Sequence, residues 1–98
     1  MAEYKNDELE ASFTLPDSVT IRQELAYDSA VALEGRGVSS YERLWKGLQV
    51  IAENWQCPHV QLTDSLERVE GRKALEVIKW AGLLGYSHML ALRETPKN

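Results

Sequence analysis

Three residues have side chains that bind metals or act as nucleophiles, and they lie in two separate parts of the chain. Cys57 and His59 flank a proline, and His88 comes near the end. Zinc sites usually combine two clusters of ligands, each with residues about two to four positions apart, and only one such cluster could form here. We therefore interpret Cys57 as a buried thiol and predict no metal site. A metal-dependent enzyme that uses Cys57, His59 and His88 is the third of three functional hypotheses.

The acidic side chains give no stronger catalytic pattern. Asp64, Glu67 and Glu70 have the spacing of one helix face, which is typical of a solvated surface. The sequence has no glycine-rich phosphate loop and no nucleophile motif. His88 lies on an apolar helix face, where we expect its ring to hydrogen-bond a neighbouring element; a ligand-binding or pH-sensing role is the alternative. We predict a protein that is not an enzyme, has no catalytic residues and needs no cofactor.

The composition is that of an ordinary globular domain with an acidic surface. The chain has 98 residues, of which 44% are hydrophobic and 27% charged, with a net charge of −4 and one cysteine. This length supports one core, and a single cysteine with a polar N-terminus favours a cytoplasmic protein. An acidic chain without a basic stripe binds phosphate backbones poorly, so we do not expect nucleic acid. A small helical regulator that binds nucleic acid through Arg36, Arg43 and Lys46 is the alternative hypothesis.

Two helices are predicted from capping signals and apolar periodicity. Thr20 and Gln23 fit a capping box at the start of a helix over residues 20–33. Ser39 provides a similar signal before a second, strongly amphipathic helix over residues 40–55. The residues on the apolar face of this second helix that we assign to the core are Trp45, Leu48, Ile51 and Trp55.

The first residues differ in character from the rest. Residues 1–16 combine four carboxylates with one lysine and lack an apolar period, so we predict an extended acidic arm. Within it, residues 11–15 alternate weakly, and one short edge strand is an option there. Residues 17–98 are then predicted to form a single helical domain. The predicted fold is mainly α, a compact bundle of three to four helices with an extended N-terminal arm.

The last predicted helix, over residues 72–94, is apolar around most of its circumference from Leu75 to Leu92. Gly82 and Gly85 each cost about 1 kcal/mol relative to alanine inside a helix, so we interpret them as points of close approach to another backbone. A crossing inside the domain is the preferred interpretation, and a contact between subunits is the other. The residues predicted to make such a protein contact are Trp80, Gly82, Gly85 and Met89. The run is too short and too interrupted by polar residues to cross a membrane, which takes about 20 apolar residues.

Five segments spread over the chain carry a family resemblance. They are Leu15-Pro16 with Val19-Thr20-Ile21-Arg22-Gln23, Tyr41-Glu42-Arg43-Leu44-Trp45, Trp55-Gln56-Cys57, Ile78-Lys79-Trp80-Ala81-Gly82, and the ending Pro96-Lys97-Asn98. On these segments the chain resembles the small tail-assembly proteins of long-tailed bacteriophages, the tail assembly chaperone-like group.

The resemblance implies a helical, non-enzymatic protein of phage morphogenesis that acts in the host cell cytoplasm. Such a protein binds the tape measure protein and helps to recruit tail-tube subunits as an assembly chaperone. A small structural protein that is retained in the virion is the related alternative. The expected partners are therefore phage tail proteins, with a homo-oligomer through the last helix as a further option. The family has no catalytic residues to carry over.

Overall fold

The protein combines a three-stranded sheet with three α-helices in the computed structural model, which describes residues 1–32 and 39–94. Along the chain the elements are β1 (Ala2–Asn6), β2 (Ala11–Leu15), α1 (Ile21–Val31), α2 (Ser40–Ile51), β3 (Glu53–Gln56), a 3-10 turn (Leu66–Arg68) and α3 (Arg72–Arg93). The predicted mainly α bundle is therefore wrong, because the described residues form an α+β fold. The strands account for the difference.

The sheet is antiparallel, and β2 lies between β1 and β3. The central strand buries Ala11, Phe13 and Leu15, the alternating positions that a strand directs to one face. β1 pairs along its whole length with β2, with Tyr4 opposite Phe13. Residues 1–16, predicted as an extended arm outside the domain, thus contribute two strands to it. β1 has few apolar residues, because the charged side chains of an edge strand can remain in solvent.

The end of α2 is a second correction. The apolar spacing from Trp45 to Trp55 predicted one helix over residues 40–55, but α2 ends at Ile51 and the chain continues as β3. Ala52 makes the change with an extended backbone, φ −71° and ψ 142°. Asn54, inside β3, has a φ of 54°, a left-handed conformation that asparagine tolerates better than most residues. Its amide donates a hydrogen bond of 2.9 Å to Thr14 Oγ1 in β2. The periodicity continued past the helix because Trp55 points into the same core from a strand.

Two predicted helix starts are confirmed. Thr20 Oγ1 accepts from the Gln23 backbone N–H at 3.1 Å, and Gln23 Oε1 accepts from the Thr20 N–H at 2.9 Å, so α1 opens with a complete capping box. Ser39 Oγ accepts from the Glu42 N–H at 3.2 Å at the start of α2. The predicted end of the first helix near Leu33 lies outside the described residues.

α2 is the central helix and packs against both α1 and α3, while β2 contacts α3. Trp45, Leu48 and Ile51 of α2 are buried, and Trp55 in β3 is half-buried. Four aromatic rings join the sheet to the helices in the order Trp45, Trp55, Phe13 and Trp80, with the ring centroids of successive members 5.4 to 5.5 Å apart. Offset and edge-on pairs at this separation stabilise a core beyond simple burial.

The two glycines of α3 lie where this helix crosses α2. A Cβ atom on Gly82 would lie 3.2 Å from Leu44 Cβ and 3.3 Å from the backbone of Leu44 and Trp45. A Cβ on Gly85 would lie 2.9 Å from Leu48 Cδ1. A side chain at Gly82 would press against the α2 backbone itself, whereas one at Gly85 would displace the flexible end of Leu48. The glycines thus serve a crossing inside the domain.

We expect Gly82→Leu to lower the free energy of unfolding by about 2–3 kcal/mol, because the new side chain must displace the α2 backbone rather than a flexible side-chain end. Urea denaturation measures this change. The matched control is Ser87→Leu, which adds the same side chain at an exposed position of α3 and should change stability by no more than about 0.5 kcal/mol. Equal stability of the two variants would contradict the close crossing.

Candidate protein-contact surface

The residues with metal-binding or nucleophilic side chains each have a different partner. The buried Cys57 thiol points to the Leu9 carbonyl at 3.9 Å. His59 Nε2 lies 3.4 Å from Glu10 Oε1, at ion-pair distance but without hydrogen-bond geometry. His88 Nε2 hydrogen-bonds the Pro16 carbonyl at 2.5 Å and so joins α3 to the segment that leaves the sheet. Among the described residues, no three His, Cys, Asp or Glu side chains are grouped to hold a metal ion.

The charged residues considered in the sequence are placed on the surface. Glu67 and Glu70 are exposed, and Asp64 accepts a hydrogen bond of 2.8 Å from the Gln61 backbone N–H, as in a turn. Of the three basic residues, Arg43 donates to Ser40 Oγ within α2 and Lys46 is exposed, while Arg36 lies outside the described residues. The carboxylates of Asp64, Glu67 and Glu70 are therefore not grouped in a buried site.

The four predicted contact residues on α3 face the interior of the domain to different extents. Gly82, Gly85 and Met89 are buried against the rest of the chain. Trp80 is half-buried, and its ring meets Phe13 edge-on at a centroid separation of 5.4 Å and an interplanar angle of 78°. Gly82, Gly85 and Met89 thus lie on the side of α3 that packs within the domain, and Trp80, on another side, packs on the sheet.

A different set of apolar side chains on α3 is exposed. Leu75, Leu83, Tyr86 and Leu90 have between 40% and 48% of their surface accessible, and we call these four residues the α3 stripe. At 3.6 residues per turn they fall within about 80° of arc around the helix. The α3 stripe therefore runs along one side of a 22-residue helix. Scattered exposed leucines are common on protein surfaces, but an aligned row of them is typical of a surface that binds another protein.

At its N-terminal end the α3 stripe meets α2. Lys79 lies within the same arc, and its ammonium is 4.9 Å from the centre of the exposed Tyr41 ring. This cation–π contact turns the charge away from the leucines and leaves the aliphatic stem on the stripe. Beside it lies a shallow, mainly apolar groove of about 220 Å³, lined by Tyr41, Leu66, Val69, Leu75 and Ile78.

At its C-terminal end the α3 stripe approaches α1 through Arg93. The guanidinium donates to Glu24 Oε1 at 3.1 Å and to Asp28 Oδ1 at 2.5 Å, and it lies 6.0 Å from the centre of the Tyr27 ring. The hydrogen bond to Asp28 is the main reason that the pKa of Arg93 lies above its usual value. Arg93 thus joins two helices that otherwise contact each other little.

α1 carries a second exposed apolar pair beside this ion-pair cluster. Ile21 and Leu25 are 73% and 62% exposed and lie one helical turn apart. Only Tyr27 of α1 is buried. α1 therefore leaves two large apolar side chains in solvent, unlike a helix that exists only to complete a core.

Sequence reasoning missed the α3 stripe because α3 is apolar almost all round. Periodicity identifies a helix, but when the helix has two apolar faces it does not indicate which of them packs in the core. Gly82 and Gly85 mark a side of α3 that packs closely, but the α3 stripe lies beside that side rather than opposite it, so the glycines alone do not identify the exposed residues. Ile21 and Leu25 have the four-residue spacing of one helix face, yet both are exposed.

Comparison with protein-family models, with curated proteins and with solved structures finds no match to this chain. Within residues 1–32 and 39–94, no helix has both the length and the apolar content that a membrane crossing requires.

We expect Tyr27→Phe to leave stability at pH 7 unchanged or slightly raised, because the Tyr27 hydroxyl is buried without a hydrogen-bond partner among the described residues. Burial raises the pKa of Tyr27 from 10.0 to about 12. The folded protein therefore keeps a proton that the unfolded chain loses, and stability should fall as the pH rises from about 10 towards 12. Chemical denaturation at several pH values measures this slope, which should be smaller in the variant. Identical slopes would show that Tyr27 does not titrate in this way.

Proposed function

We propose that this protein is a non-enzymatic assembly factor that binds another protein chain through the α3 stripe. The observation that carries the proposal is the row of exposed Leu75, Leu83, Tyr86 and Leu90 along one side of α3. Covering apolar surface contributes about 25 cal/mol for each Å² removed from water, so this row provides a driving force for association. Its length suits a helical partner segment, whose own apolar residues recur every three to four positions.

Tyr86 and the Tyr41–Lys79 pair add specificity to this surface. Tyrosine is enriched among residues that dominate binding energy, since its ring supplies apolar area and its hydroxyl a directional polar contact. Lys79, held over Tyr41 at 4.9 Å, places one positive charge beside the stripe. A partner helix with an acidic residue opposite Lys79 would gain a charge-assisted contact there.

The resemblance to tail assembly chaperone-like proteins identifies the partner class that we propose. On that basis the protein acts in phage tail morphogenesis in the host cytoplasm, and the α3 stripe binds the tape measure protein or a tail-tube subunit. A protein that covers apolar segments of a long partner before assembly needs an exposed apolar row of its own. The α3 stripe meets this requirement.

The test is coexpression of the tagged chain with the tape measure and tail-tube proteins encoded in the same genome. We expect copurification with one of them and its loss in the double variant Leu83→Glu/Leu90→Glu, because two buried charges would oppose contact with an apolar partner. Ser87→Glu is the matched control, since it adds the same charge to an exposed position of α3 outside the stripe. Circular dichroism should show both variants folded.

Two results would overturn the proposal. If the double variant binds the tail proteins as tightly as the unchanged chain, the α3 stripe is not the contact surface. If neither tail protein copurifies, the assignment to tail assembly fails. Mass spectrometry of purified particles separates the two forms of the proposal, because a transient chaperone is absent from mature virions and a structural protein is retained.

A further inference from the structure

Among residues 1–32 and 39–94, β1 is an edge strand with no strand paired to its outer side. The sheet has the order β1-β2-β3, and β1 contacts β2 but packs closely against no other element of the described chain. A strand with one unpaired side presents backbone N–H and C=O groups that bind another strand. The opposite edge is different, since β3 is irregular where Asn54 adopts its left-handed conformation. Of the two edges, β1 is the regular one.

The side chains of β1 alternate in a pattern that complements itself. Tyr4 lies at the centre and contacts Phe13 on the inner face, with ring centroids 5.4 Å apart. Glu3 and Lys5 flank it and are exposed on the outer face. When this strand is placed antiparallel to a copy of itself about Tyr4, Glu3 lies opposite Lys5 of the second copy, and Lys5 lies opposite its Glu3. Opposite charges in directly facing positions stabilise antiparallel pairs.

We propose that β1 pairs antiparallel with β1 of a second copy of this chain, centred on Tyr4, so that two sheets join into one of six strands. The contact is symmetric about a two-fold axis and therefore closes as a dimer. Facing residues in an antiparallel pair point to the same side of the sheet. The two Tyr4 rings thus lie together on the inner face, and both cross-strand charge pairs lie on the outer face.

This register is the one that the sequence of β1 permits. A shift of two residues places Glu3 opposite Glu3 of the second copy, or Lys5 opposite its own counterpart, and like charges in facing positions are destabilising. A shift of one residue places Tyr4 opposite a charged residue and sends the inner faces of the two sheets to opposite sides. The central register also pairs all five residues of β1.

Charges on an edge strand usually prevent pairing with other strands, and here they select the partner. A lysine beside an unpaired edge disfavours association with most strands. Lys5 has an exposed neighbour in its own chain, Asp7 Oδ1 at 3.5 Å, and an exposed ion pair of this kind is weak enough to be exchanged. Glu3 of a second copy supplies a facing carboxylate in addition to the backbone hydrogen bonds.

Within one chain, the charges of β1 face neutral residues. Glu3 lies opposite Thr14, and Lys5 lies opposite Ser12. Reversing the sign of either charge therefore creates no repulsion across the β1–β2 pair. Lys5→Glu also removes the ion pair with Asp7, but this pair is exposed and contributes little to stability, so both variants should fold.

The experiment is light scattering over a concentration series for the unchanged chain, Glu3→Lys, Lys5→Glu and an equimolar mixture of the two variants. We expect the unchanged chain to reach twice the monomer mass of 11.1 kDa. In a dimer of either single variant, both facing pairs of residues 3 and 5 carry like charges. The dimer should therefore be weakened at least about tenfold. In the mixture every facing pair is again opposite in charge, so the dimer should return.

Glu70→Lys is the control for net charge, because it makes the same change at an exposed position before α3 and should dimerise like the unchanged chain. Circular dichroism should show every variant folded. A strict monomer at all concentrations would overturn the proposal, as would single variants that dimerise normally or a mixture that stays monomeric.

The β1 contact is separate from the α3 stripe. Leu83→Glu/Leu90→Glu should keep the dimer while losing a tail-protein partner. If that double variant abolishes the dimer and the β1 variants do not, the second copy binds at α3 and the β1 proposal is wrong. Failure of the β1 dimer leaves the proposed binding of tail proteins unaffected.

Discussion

The close crossing of α2 and α3 determines how the rest of the domain is arranged. A Cβ atom on Gly82 would lie within 3.3 Å of Leu44 and Trp45, which is tighter than most Cβ contacts. α3 buries one broad side against the domain, which includes both glycines and Met89. Trp80 lies on another side of the helix and packs on Phe13 of the sheet. The α3 stripe lies next to the buried side and remains in solvent.

Aromatic rings connect this helical crossing to the sheet. Phe13 contacts Tyr4 and Trp55 on the two neighbouring strands of its own sheet and Trp80 of α3, so one side chain joins the edge strand to α3. Thr14 is a polar residue buried in the core. Its hydroxyl accepts a hydrogen bond from the Asn54 amide and donates one to the Glu53 carbonyl. The irregular pairing at β3 therefore leaves no unsatisfied hydroxyl at Thr14.

The helices of this protein are much easier to predict from sequence than its strands. Capping residues and periodicity located all three, because these signals are local to each helix. Strand pairing is a contact between distant segments: β3 lies about forty residues from β2, and its tryptophan fitted the period of the preceding helix. The candidate site was missed for a related reason, since an all-round apolar helix does not show which side meets the core. Gly82 and Gly85 were interpreted as points of close approach to another backbone, but only the structure shows that this backbone belongs to α2.

α1 packs mainly against α2 and buries one side chain, and this has a kinetic consequence. That side chain is Tyr27, whose ring lies where a Cβ on Gly47 would be 2.7 Å away, and Arg93 holds the helix from outside. A helix with so few buried side chains opens at a lower free energy than the core, so its amide hydrogens should exchange with solvent before those of α2. Each opening exposes the surface of α2 around Gly47. The protein thereby gains a transient apolar surface in addition to the permanent one on α3.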